Sequence, residues 1–157
     1  MSEEKANSSA VESLAISEEC KIDVQQLHGV VQRRVEKVPR PLKGYLTRIP
    51  PVYGCDMLAA HSIACASKES STAFSANVEH YTWNIVIFFR GNPTIGSTPT
   101  LMIPIVAIGD LTVRVGGRDN EMATLGMAGQ YHIFHREHTL NIDGDGLLAA
   151  LCVTRME

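Results

Sequence analysis

The sequence predicts an α+β fold: a mostly antiparallel β-sheet packed against one main helix, behind a disordered N-terminal tail. Three stretches carry that expectation. Residues 81–115 hold the only Trp, two of the four Phe and much of the β-branched bulk, cut into short runs by Pro and Gly. Such runs suit strands. Residues 57–68, Met-Leu-Ala-Ala-His-Ser-Ile-Ala-Cys-Ala-Ser-Lys, are short-chained and Ala-rich, the composition of a helix. Residues 1–20 are rich in Ser, Glu and Ala and contain no aromatic residue, too little apolar surface to offset the entropy of ordering. At 157 residues the length favours one domain. The tail is assigned to 1–22 and a single α+β domain to 23–157.

Residues 23–38 admit two readings. Asp23 with Gln26 has the form of a capping box, and Val24, Leu27, Val31 and Val35 recur at helical spacing. Against a helix, Gly29 weakens the interior, and Val30, Val31, Val35 and Val38 favour extended backbone. The balance predicts a strand over 29–38, ended by Pro39-Arg40-Pro41. Leu42–Ile49 then reads as a returning strand. Pro50-Pro51-Val52-Tyr53-Gly54 breaks the chain, and Asp56 is placed to cap the helix 57–68, with Met57, Ala60 and Ala64 on one face. Ser70–Ala76 is a polar linker.

Tyr81–Phe89 is apolar or aromatic apart from Thr82 and Asn84, as expected of a strand covered on both faces. Leu101–Ile108 is a second strand, in which Pro104 points to an edge position or a bulge. Gly109-Asp110 turns into a third, Leu111–Val115. Glu121–Gly129 is a helical turn or a loop. Gln130–Ile142 alternates as one strand and Gly146–Thr154 is the last, with Asp143-Gly144-Asp145-Gly146 between them as a hairpin signature.

The net charge of −3 is unevenly spread: residues 1–20 carry one Lys against five Glu, residues 21–48 seven basic against two acidic residues, and the remainder six against ten. Arg33, Arg34, Lys37, Arg40, Lys43 and Arg48 thus form a basic block suited to phosphates, of nucleic acid or of an anionic membrane. The plainer reading is a solvated strand face. The four cysteines, Cys20, Cys55, Cys65 and Cys152, have no CxxC or finger spacing. The first residues lack an apolar leader core, and no apolar run approaches the ~20 residues that span a bilayer. An intracellular, reducing setting with free thiols is expected.

His132, His135 and His138 are evenly spaced, but on a strand the middle one faces away from the other two. No HExxH or Cys pair completes a zinc set. Asn141-Ile142-Asp143-Gly144-Asp145-Gly146 partly matches a calcium loop, yet its twelfth position is Cys152 where a bidentate Glu is needed. Cys55 lies near the positive end of the predicted helix, where a thiol pKa can fall; burial as a small hydrophobe is the commoner outcome. No phosphate loop of the GxxxxGK[ST] type occurs. No catalytic residue, metal or cofactor is assigned. Pro50-Pro51-Val52-Tyr53 has the PPxY form, which can dock as a polyproline segment in the aromatic groove of a WW domain. The alternative is a turn with Tyr53 packed on the core.

The order of these features resembles the matrix proteins of rhabdoviruses, of the smaller plant-infecting type: a charged tail (1–20), the basic block (33–48), the Pro50–Tyr53 motif, helix 57–68, and strands 81–89 and 101–115. The acidic start and the position of the proline motif beside the helix depart from that family. The resemblance implies a non-enzymatic structural protein of the virion and host cytoplasm. Such a protein self-associates and bridges ribonucleoprotein or RNA and a membrane surface, with the six basic residues contacting phosphates. Two alternatives stand beside it. One is a single jelly-roll capsid subunit, given short strands after a tail. The other is a small cytoplasmic enzyme or ligand-binding domain using His132, His135, His138, Asp143 and Asp145.

Overall fold

The computed structural model describes residues 11–38, 46–70, 74–96, 98–116 and 122–156. Its elements are β1 (Glu12–Ala15), α1 (Glu18–Glu36), β2 (Leu46–Ile49), α2 (Cys55–Glu69), a short 3₁₀ turn (Val78–His80), β3 (Tyr81–Phe88), β4 (Thr94–Ile95), β5 (Thr100–Ile108), β6 (Thr112–Gly116), β7 (Met122–Thr124), β8 (Gln130–Phe134), β9 (His138–Asp143) and β10 (Leu147–Arg155). The fold is α+β and sheet-dominated, with antiparallel pairing between every named pair of strands.

Among the described residues there are two sheets and two α-helices rather than one sheet and one main helix. Six strands lie in the order β1-β8-β5-β10-β3-β2, and four in the order β4-β9-β6-β7. From β3 onward the chain passes back and forth between the sheets, the arrangement of a jelly roll. The expected hairpin at Asp143–Gly146 is therefore a crossover: β9 pairs with β4 and β6, whereas β10 pairs with β3 and β5. Gly109-Asp110 is likewise a corner between sheets, held by Gly146 N–H donating to the Asp110 carbonyl at 2.8 Å.

Period-two alternation on β3, β5 and β10 builds two cores. Ile85, Ile87, Leu101, Ile103, Leu151 and Val153 face α1 and α2. Val86, Phe88, Met102, Leu148 and Ala150 face the small sheet, packing with Val113, Val115, Leu140 and Ile142. Pro104 occupies a bulge: Ala149 pairs with Val106 but Ala150 with Pro104, leaving Ile105 as the extra residue. The strand is central, so the bulge and not an edge accommodates the missing N–H.

Residues 29–38 are not a strand. They end α1, which begins far earlier, where Ser17 caps it by accepting from Cys20 N–H at 3.2 Å. Cys20, Asp23, Leu27, Val31 and Val35 form its buried stripe. Glu18 and Glu19 in the first turn and Arg33 and Arg34 in the last complement the helix dipole. The helical period outweighed the local preference of the valines because a continuous stripe was there to bury. The tail boundary drawn at 22 falls inside α1, and residues 12–15 pair with β8. Residues 1–10 lie outside the described residues.

In α2 the buried face is Cys55, Leu58, Ala59, Ser62, Ile63 and Ala66. Met57 and Ala64, expected inward, are exposed. Asp56 is not the cap: Gly54, at φ 100°, holds that position, and Asp56 accepts from Trp83 Nε1 at 3.0 Å. Gln130–Ile142 is two strands in different sheets, broken at His135–Glu137. Among the described residues, no helix is long and apolar enough to cross a membrane.

Candidate functional site

Register decides which side chains meet between the sheets. Arg48 on β2 lies opposite Val86, Asn84 on β3 opposite Cys152, and Thr154 on β10 opposite Thr100. All of these positions share the face turned away from the helices. Together with Phe88, Thr94, Ile95 and Gly96 they line a cavity of about 140 Å³, the share of roughly five water molecules. Phe88 and Cys152 are buried in its wall, while Arg48 and Thr94 are exposed.

The cavity is mixed in character. Asn84, Thr94, Thr100 and Thr154 supply hydrogen-bonding groups, and Arg48 supplies a cation. No ion pair between Arg48 and a carboxylate occurs among the described residues. Burial pushes the Cys152 thiol up to about 12, against the smaller opposing pull of Arg48. The thiol is therefore protonated at neutral pH and is a poor nucleophile. What this arrangement can do is receive a small molecule with a negative group at Arg48 and hydroxyl or carbonyl groups along the threonines and Asn84.

The other residues singled out by the sequence lie elsewhere. His132, His135 and His138 do not converge. His132 is fully buried; its Nε2 donates to the Gly126 carbonyl at 2.8 Å and its Nδ1 accepts from Ser13 at 2.7 Å. That pairing has the outline of a serine and its base. However, burial lowers the His132 pKa, so an imidazolium formed by proton transfer would stand uncompensated. His132 is a satisfied core group.

His135 meets Glu12 at 2.6 Å, and Ser70 donates to the same Glu12 oxygen at 2.7 Å. The Ser70 hydroxyl hydrogen points to the carboxylate and not to the imidazole, whose Nε2 lies 3.5 Å from Ser70 Oγ. His138 lies on β9 with Nδ1 donating to the Arg136 carbonyl at 2.9 Å. Asp143 and Asp145 lie at 3.6 Å from Arg114 and Arg90 on the surface. Among the described residues, no group of three His, Cys, Asp or Glu could hold a metal ion.

The thiol of Cys55 is raised, not lowered, because burial outweighs its backbone hydrogen bond. The basic block is divided. Arg33 and Arg34 end α1 and Lys37 caps it, Arg48 sits between the sheets, and Arg40 and Lys43 fall outside the described residues. Pro50, Pro51 and Tyr53 are all exposed, and Tyr53 does not pack on the core. The residues that sequence reasoning missed are Asn84, Thr94, Thr100 and Thr154. They come from four strands with no common spacing. The two polar interruptions in Tyr81–Phe89, Thr82 and Asn84, were the one available signal.

No protein-family model matches the chain, and no curated protein matches it in sequence. Solved structures do match in fold. The crystal structure of a prolyl-4-hydroxylase from Pseudomonas putida superposes with a TM-score of 0.59 at 10% identity, over 98% of this chain and 96% of that one. A protein from Shewanella oneidensis assigned as an oxygenase superposes with a TM-score of 0.59 at 10% identity, over 97% of this chain and 83% of that one. These likenesses overturn the resemblance to rhabdovirus matrix proteins. The order of tail, basic segment, helix and strands is shared by a jelly roll, and order alone could not separate the two. The reading as a non-enzymatic virion protein, which rested on that resemblance, falls with it; the two structures compared are named as a hydroxylase and an oxygenase.

Proposed function

We propose that the chain is a small-molecule enzyme or binding domain built on an oxygenase-type jelly roll, and that its ligand carries a carboxylate received by Arg48. The observation that carries this reading is the cavity between the sheets, where a guanidinium stands beside Asn84 and three threonines. The fork of a guanidinium matches a carboxylate with two parallel hydrogen bonds. The near full-length likeness to a hydroxylase and an oxygenase supports the enzymatic form of the reading.

Non-haem oxygenases hold ferrous iron through two His and one carboxylate. The residues here do not fit that group. Among the described residues, Cys152 is the one His, Cys, Asp or Glu on the cavity wall, and the three candidate histidines bond to Gly126, Glu12 and Arg136. What the chain's own residues supply is charge recognition at Arg48 and orientation by the neutral polar groups.

Succinate tests the proposal. It should raise the melting temperature of the protein in a saturable way, while the uncharged succinamide should not. In Arg48→Met the succinate effect should vanish. An equal response of wild type and variant, or no response to any small carboxylate, overturns the reading.

A further inference from the structure

We propose that Pro50-Pro51-Val52-Tyr53 is a preformed docking strip for a partner domain with an aromatic, polyproline-binding groove of the WW type. The strip joins β2 to α2 on the helix side of the large sheet, and the inference does not depend on the ligand of the cavity.

Four observations support it. First, the chemistry is present: two adjacent prolines and a tyrosine at the third position after the first. Second, Tyr53 is fully exposed, beside a cavity that it lines with Leu27, Val30, Val52 and Met57. The exposed large apolar side chains among the described residues are Ile22, Val30, Tyr53, Met57, Val78 and Met156; Tyr53 is the one aromatic in that set and, at 102% relative exposure, the most exposed. A tyrosine that ignores the core is free to serve a partner, and such rings are favoured at interfaces.

Third, the backbone suits the groove. Proline fixes φ near −65°, and Pro50, which precedes another proline, is confined to extended or polyproline geometry. In a polyproline helix, with three residues per turn, Pro50 and Tyr53 would share an edge; here Tyr53 and Gly54 form the turn into α2. The exposure pattern matches: Pro50, Pro51 and Tyr53 are exposed, and Val52 packs against the core.

Fourth, the strip is held at both ends. Ile49 pairs with Ile85 before it. After it, Cys55 N–H donates to the Val52 carbonyl at 3.1 Å, and Gly54 at φ 100° turns the chain into α2. A segment ordered in advance loses little entropy on docking.

An isolated WW domain that binds PPxY peptides is the probe, titrated with the folded protein by calorimetry. An SH3 domain is the control, because position 53 holds Tyr where a PxxP ligand needs proline. Binding to the WW domain alone is expected. Tyr53→Ala and Pro51→Ala should each weaken it at least tenfold. Tyr53→Ala should leave the melting temperature unchanged, since the residue is fully exposed. No binding by the folded protein, binding by a free peptide of residues 47–57 only, or equal affinity in Tyr53→Ala overturns the proposal. Failure of the succinate test leaves these outcomes unaffected.

Discussion

The two faces of strands β3 and β10 share a backbone but differ in cover. Toward the helices, Ile85, Ile87, Leu151 and Val153 are all fully buried. On the other face Val86, Phe88, Leu148 and Ala150 are closed in by the small sheet, yet Asn84 and Thr154 on that same face retain contact with solvent. Two helices seal one face, and four strands cannot cover all of a face six strands wide. The uncovered end is where polar residues replace the apolar alternation and where Arg48 stands. Stability and recognition are thus divided by the pleat: one residue along the strand moves a side chain from scaffold to site.

The sharpest way to break that division is to truncate both faces and compare. Leu151→Ala, on the sealed face, should cost about 2–5 kcal/mol in urea unfolding. A smaller loss would mean that the helix layer is loosely packed.

Acid should act next. Burial holds the folded-state pKa of His132 below its ordinary 6.5. Its neutral form therefore contributes full stability above pH 6.5. As pH falls from there towards the folded-state pKa, the unfolded chain takes up a proton that the fold does not, and stability drops by up to about 1.4 kcal/mol per pH unit. Unfolding in urea between pH 7.5 and 5 measures this, and His132→Gln should flatten that part of the profile. A wild-type profile as flat as the variant's would refute the assignment.

Gly29→Ala, on the exposed side of α1, should stabilise by about 0.5–1 kcal/mol, because it restores helix preference where a new Cβ meets only the end of Arg33 at 3.6 Å. Calorimetry should register this as a rise of a few degrees in the melting temperature. Smallest of all, Arg48→Met should change unfolding stability by no more than about 0.5 kcal/mol while removing the succinate response. A loss comparable to that of Leu151→Ala would make Arg48 part of the scaffold and dissolve the contrast between the faces.

Much of the sheet was legible in the sequence. Tyr81–Phe89, Leu101–Ile108 and Leu111–Val115 lie within a residue or two of β3, β5 and β6: the first two because a strand buried on both faces needs a nearly unbroken apolar run, the third because its alternation marks one covered face. Pro104 was legible as an edge position or a bulge, and the central place of β5 in the sheet decides for the bulge. The first helix was missed because Gly29 and four valines speak locally for extended backbone, whereas the stripe from Cys20 to Val35 speaks over four turns. The existence of a second sheet was not legible. Nothing local in Asp143-Gly144-Asp145-Gly146 distinguishes a hairpin from a corner between layers. The cavity was hidden for the same reason. Arg48 was visible as one cation among six, but its neighbours come from strands brought together only by register.

The position of β10 has a consequence for how the chain folds. It is the tenth strand in sequence and lies between β3 and β5, where its alternate residues enter both cores. Until residues 147–155 arrive, β3 and β5 each present an open hydrogen-bonding edge flanked by apolar side chains, and neither core can close. Contacts of such long sequence separation slow the approach to the native state and leave those edges open to pairing with other chains. The middle of the large sheet is therefore exposed until residues 147–155 are in place, and crowding of chains that lack them is the condition under which misassembly is most favoured.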